Sequence, residues 1–150
     1  MKVSSEGIKF IQEQEGLRLE PYRDIAGNWT LGYGHLMNEE DLQKYPPGSK
    51  IILETAEEIL LKDLTSVEES IAKLVRVTLT QSQFDALADF VFNLGEENLT
   101  MSTLLKDLNE GHYHMAAAQF PLWDHAGGKV VKDLEERRFA EQRMFLRGMT

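Results

Sequence analysis

The chain has 150 residues, 42% apolar and 27% charged, the size and balance of one globular domain able to bury a core. It contains no cysteine, which excludes disulfides, thiolate catalysis and thiolate metal sites. The formal net charge is −9, with seven Lys/Arg against 14 Asp/Glu in residues 1–70 and nine against 11 in residues 71–150. That acidity argues against a nucleic-acid partner, which needs a basic face.

Met1 to Phe10 carry no apolar run, and no stretch approaches the length of a membrane span. The expectation is a protein without a signal peptide and without stable membrane insertion. Residues 5–14 predict a short helix: Ser4 or Ser5 offers the N-cap, Ile8 and Ile11 share a face, and Gly16 lies past the end. From Leu17 to Leu36 the pattern changes. Pro21, Gly27, Gly32 and Gly34 break a helix, while Tyr22, Trp29, Thr30, Leu31 and Tyr33 favour extended chain. With a turn signal over Asp24 to Asn28, the segment predicts a hairpin or three-strand meander.

Tyr45-Pro46-Pro47-Gly48 reads as a loop. Thr55 with Glu58 has the spacing of a capping box and opens a helix of about 20 residues. Its Ile59, Leu60, Leu64, Val67, Ile71 and Leu74 recur at helical spacing. Thr80 with Gln83 is a second box, opening a helix with Phe84, Leu87, Val91 and Leu94 and ending at Gly95. Two shorter helices are expected near 102–109 and 112–119, around Gly111. Pro121 and Gly127-Gly128 mark breaks. A last helix is expected from about Val131 to Arg147, with Leu134, either Phe139 or Arg138, and Phe145 facing inward. The basic residues near the end (Lys129, Lys132, Arg137, Arg138, Arg143 and Arg147) are diluted by Asp133, Glu135, Glu136 and Glu141, the pattern of a solvated helix face.

The fold class that follows is α+β and mainly helical, a single domain over residues 1–150. A small strand-bearing lobe of about residues 12–60 is joined by the long helix to a helical lobe of about 70–150 that also takes the first helix.

Residues 15–35 carry the chemistry. Glu15 closes a helix, and Asp24 and Thr30 follow on a glycine-rich hairpin ending Gly32-Tyr33-Gly34-His35. Cleaving a glycosidic bond needs a proton for the leaving oxygen and an attacking group on the sugar's other face. A carboxylic acid can donate that proton, and a second carboxylate beside a hydroxyl can hold and polarise a water. The bland readings are a solvated helix-end Glu15, a turn-forming Asp24 and a strand Thr30. Gly32 and Gly34 read as backbone devices.

Glu-(eight residues)-Asp-(five residues)-Thr, ending Gly-Tyr-Gly-His, closely resembles the active-site segment of the phage-type lysozymes (endolysins, glycoside hydrolase family 24). Phe90-Val91-Phe92-Asn93-Leu94-Gly95-Glu96 is similar to the family's central-helix motif. Trp123 to Lys129, with Gly127-Gly128, is similar to the Trp-x-x-x-Gly-Gly-Lys element of one endolysin branch, and Arg137-Arg138 with Glu141 and Phe145 to that branch's last helix. The resemblance covers nearly the whole chain and implies a lysozyme-like fold.

It also implies a muramidase that hydrolyses the β-1,4 bond between N-acetylmuramic acid and N-acetylglucosamine in peptidoglycan, inverting and without metal or organic cofactor. Glu15 would be the general acid, with Asp24 and Thr30 positioning water. Phe92 and Asn93 would contact sugar, and His35 would pair with Asp63 for stability. Arg137, or its neighbour Arg138, would orient Glu15. A phage or prophage endolysin acting in host lysis fits this reading. It would be monomeric, made in the host cytoplasm and delivered to the wall by a separate factor.

Two other readings share the domain: an antibacterial effector with the same chemistry, and a non-catalytic peptidoglycan-binding or protein-interaction module. Intact Glu15, Asp24 and Thr30 weigh against the module. His112 and His114 lack a third ligand in sequence and read as a solvated helix start; His125 reads the same way. Trp123 reads as core.

Overall fold

The structure is a computed structural model that describes residues 1–149. It is mainly helical with short antiparallel strands, the predicted class. The chain divides into two compact units: Ile11–Thr65, and Met1–Phe10 together with Ser66 to the C-terminus. The boundaries fall inside α1 (Ser5–Glu15) and α3 (Leu53–Leu74).

In the Ile11–Thr65 unit, β1 (Arg18–Arg23), β2 (Trp29–Gly32) and β3 (His35–Leu36) form the predicted meander, in the order β1-β2-β3. Tyr22 and Arg23 pair with Thr30 and Trp29, while Thr30 and Leu31 pair with Leu36 and His35. Leu31, Tyr33, Met37 and Ile51 are buried, with Ala56, Leu60 and Leu64 of α3.

α2 (Glu39–Lys44) was not predicted. It has six residues, none of them buried, so it leaves no apolar periodicity. Its signal is the cap: Asn38 accepts from the Asp41 N–H at 2.8 Å, and Asp41 accepts from the Asn38 N–H at 3.0 Å. The long helix begins at Leu53, not at the expected Thr55 box. Ala56 N–H already donates to Ile52 C=O, so Thr55 sits inside the first turn and caps nothing.

In the other unit, the Ser4 hydroxyl accepts from the Gly7 N–H at 3.0 Å, so Ser4 caps α1. The Thr80–Gln83 box forms in both directions and opens α4 (Gln81–Leu94). Every residue from Gln83 to Val91 is buried, so α4 is a central helix surrounded on all sides. Its buried acids are partnered: Asp85 accepts from the Ser4 N–H, the Ser4 hydroxyl and Gln81.

α5 (Glu96–Thr100) is a second unpredicted short helix, followed by α6 (Thr103–Asn109) and α7 (Tyr113–Gln119). A 3-10 turn over Phe120–Leu122 precedes β4 (His125–Ala126) and β5 (Lys129–Val130). The Gly127-Gly128 break is a two-residue hairpin turn. Both glycines have positive φ, 60° and 79°, as a turn matching the twist of a tight hairpin requires. α8 (Lys132–Leu146) ends the chain. Of the two residues left open there, Arg138 is fully buried and Phe139 is 41% exposed.

The core of this unit is aromatic. Phe90 meets Phe120 and Trp123 edge-on, at 5.7 and 5.6 Å between centroids, and Phe120 meets Phe145 at 5.4 Å. Each fully buried ring contributes about 1.5–3 kcal/mol of transfer free energy.

Candidate active site

Glu15 is the last residue of α1 and is half-buried. Its carboxyl group lies against the backbone of Gly34: a Cβ built on Gly34 would come within 2.8 Å of Glu15 Cδ. Gly34 also has φ +68°, a conformation that side chains resist. The glycine is thus both a backbone device and the space in which the acid sits. Sequence reading found only the first role.

Asp24 and Thr30 are joined through one residue between them. An Asp24 carboxylate oxygen accepts from the Asn28 N–H at 2.8 Å, and the Thr30 hydroxyl donates to Asn28 C=O at 3.1 Å. The Asp24 N–H also donates to Asn28 C=O, at 2.9 Å, which closes the hairpin. Thr30 is 5% exposed, so its hydroxyl is held, while Asp24 keeps partial access to solvent.

Tyr22 stands opposite Thr30 across the sheet. Partial burial pushes its phenol up; the Arg18 charge pulls it down, and the charges of Glu15 and Asp24 push it up. Both acids therefore act on this one ring, and the Arg18 guanidinium sits 4.2 Å from its centroid. Neither Tyr22 nor Asn28 was singled out from sequence. Only the strand register and the loop hydrogen bonds place them here.

His35 uses both ring nitrogens. Nδ1 is 2.7 Å from an Asp63 carboxylate oxygen and Nε2 is 2.9 Å from one of Asp41. Its pKa rises to about 9: the Asp63 hydrogen bond raises it most, burial opposes, and Asp41 adds to the rise. At neutral pH it is an imidazolium donating on both sides. Burial pushes the Asp41 carboxyl up, but the Asn38 N–H and His35 outweigh it, and the net direction is down. Asp41 therefore ties His35 to the cap of α2, a link that the resemblance did not contain.

Phe92 and Asn93 lie in the last turn of α4, in the other unit, both half-buried. The same unit holds Arg137, which is buried and donates from Nε and Nη2 to the two Asp89 carboxylate oxygens at 2.9 and 2.8 Å. Next to it, the Arg138 Nη2 donates to Glu141 at 2.8 Å, with both side chains fully buried. Burial pushes the Glu141 carboxyl well up, and the hydrogen bond and charge of Asp89 add to this; the two arginines offset part of it. Trp123 is half-buried against Phe90, and His125 is exposed beside Asp124.

A carboxyl at the end of α1, with a second carboxyl, a held hydroxyl and a tyrosine on the strand-and-turn segment that follows, forms an arrangement able to donate a proton and to hold a water. The phage lysozyme family profile matches residues 12–141, and the chain belongs to that family. The endolysin of Salmonella phage P22 is 41% identical over 146 residues, which is 97% of this chain and 99% of that protein. The endolysin of Bacillus phage PZA is 38% identical over 150 residues, 99% of this chain. This chain spans only 56% of the Bacillus phage protein's length. Among solved structures, the muramidase domain of SpmX from Asticaccaulis excentricus superposes with a TM-score of 0.86. It is 35% identical and covers 97% of each chain. Among the described residues, no helix is long and apolar enough to cross a membrane.

Proposed function

We propose that this protein is a muramidase, hydrolysing the β-1,4 bond between N-acetylmuramic acid and N-acetylglucosamine in bacterial peptidoglycan, and that it serves as an endolysin in host lysis. The observation that carries the reading is the seating of Glu15 against Gly34, on the same unit as the Asp24–Asn28–Thr30 link. Family membership and the endolysin relatives support it.

In this mechanism Glu15 protonates the leaving glycosidic oxygen. Asp24 accepts a proton from water as that water attacks the anomeric carbon, and the Thr30 hydroxyl holds the same water in line. The reaction is inverting, so the product first carries the anomeric configuration opposite to that of the substrate. Phe92 and Asn93 contact sugar. His35 and Asp63 hold the sheet to α3, and Arg137 supports the acid. The protein acts as a monomer on the cell wall, with no nucleic-acid partner.

The test is turbidity loss of purified cell walls. Wild type should clear them and Glu15→Gln should not, while binding to the walls persists in both. Equal failure to clear by both proteins would overturn the hydrolase reading. Anomeric analysis of the first products by NMR checks inversion.

A further inference from the structure

β1 carries two arginines, and each lies over an aromatic ring. The Arg18 guanidinium is 4.2 Å from the Tyr22 centroid, and that of Arg23 is 4.8 Å from the Trp29 centroid. Among the described residues neither makes an ion pair. The strand register puts them on opposite faces of the sheet. Tyr22 stands opposite Thr30, and Arg18 opposite Gly32, two residues along β2 and so on the same face as Thr30. The ladder is irregular between Arg18 and Tyr22, yet the guanidinium reaches the Tyr22 ring, which keeps both on one face. Arg23 stands opposite Trp29 and faces the other way.

We propose that Arg18 is a substrate-binding residue of this site, receiving a carboxylate carried by the muramyl sugar. The inference rests on the proposed function and deepens it.

The substrate supplies the first argument. N-acetylmuramic acid differs from N-acetylglucosamine by a lactyl ether. That ether ends in a carboxyl group, either free or extended by a stem peptide with carboxylates of its own. A cation is the group that tells such a sugar from its uncharged neighbour.

Placement supplies the second. Residues 11–65 hold five Lys/Arg against 11 Asp/Glu, so the unit repels an anion unless a cation stands at the site itself. Arg18 does. Burial raises the Tyr22 phenol most and Arg18 lowers it, while the charges of Glu15 and Asp24 also raise it. Both acids are thus within electrostatic reach of the ring that carries Arg18.

The third is presentation. Arg18 is exposed, and Gly32 opposite it has no side chain to cover it. Stacking occupies the flat face of the guanidinium and leaves the N–H groups at its edge to donate, as a fork, to a carboxylate. The ring also holds a long side chain in place, which lowers the entropy lost on binding.

The experiment measures kcat and KM by reducing-end release from soluble peptidoglycan strands, with Arg23→Gln as a control of equal charge change on the other face. Arg18→Gln should raise KM by about tenfold or more with kcat little changed, and Arg23→Gln should match wild type. An increase confined to strands that bear stem peptides assigns the contact to a peptide carboxylate. The same increase on strands stripped of peptide assigns it to the lactyl group. An Arg18→Gln KM equal to that of Arg23→Gln, or a fall in kcat alone, overturns the inference and leaves the muramidase reading standing. A wild type that releases no reducing ends brings both down.

Discussion

The Glu15 carboxyl group occupies the space that a side chain at position 34 would take. Gly34→Ala should therefore displace the acid without removing it. A shift of about 1 Å in a catalytic group can cost roughly 100-fold in rate. Wall clearing by Gly34→Ala should fall by about that factor, while unfolding free energy falls by only about 1–3 kcal/mol from the strained φ. Near-wild-type clearing would show that the seating is not needed.

Thr30 and Asp24 should separate in their stability costs. Thr30→Val keeps the shape but loses the donor to Asn28 C=O, at a cost of about 1 kcal/mol in urea unfolding. Asp24→Asn keeps an acceptor for the Asn28 N–H and should leave stability nearly unchanged. Both should lose turnover by more than about tenfold if they hold the water. A Thr30→Val protein with full activity would remove the hydroxyl from the mechanism.

His35 gives the pH dependence a sign. Its folded pKa, about 9, lies above its unfolded value of 6.5, so its stabilisation is complete below pH 6.5 and is lost as pH rises through 9. Both carboxylate partners are partly exposed, so the contribution is about 1–2 kcal/mol after solvent screening. Unfolding of wild type at pH 6 and pH 10 should differ by that much more than in Asp63→Asn. An identical pH profile in the two proteins would contradict the charged clamp.

The fully buried Arg138–Glu141 pair should tolerate replacement but not halving. Arg138→Met alone leaves the Glu141 carboxyl buried beside Asp89 and should cost about 3–5 kcal/mol. Adding Glu141→Leu should recover much of this, and the double-mutant cycle in urea measures the coupling. Additive losses would mean that the two side chains act separately.

Local patterns were legible where they were strong. The Thr80–Gln83 box, the apolar spacing of α3 and the glycines of the meander gave the element types directly. The short helices α2 and α5 escaped because five or six residues are too few to show a helical period. The Thr55 box misled because a cap needs an extended residue outside the helix, and Ile52 already begins the hydrogen-bonding. At the candidate site, spacing pointed to Glu15, Asp24 and Thr30. Gly34 as the seat of the acid, Asn28 as the link, Tyr22 beside both acids and Asp41 on His35 depend on register and through-space approach, and spacing carries neither.

By itself the sequence determined the class, because periodicity and turn chemistry are local properties of the chain, and the motif spacing determined the family. The tertiary structure decided which groups share an environment. Whether a carboxyl meets a glycine, a second acid or an arginine depends on residues distant in the chain, and on how much water their packing excludes. Asp89 against Arg137 and Asp41 against His35 are outcomes of that packing.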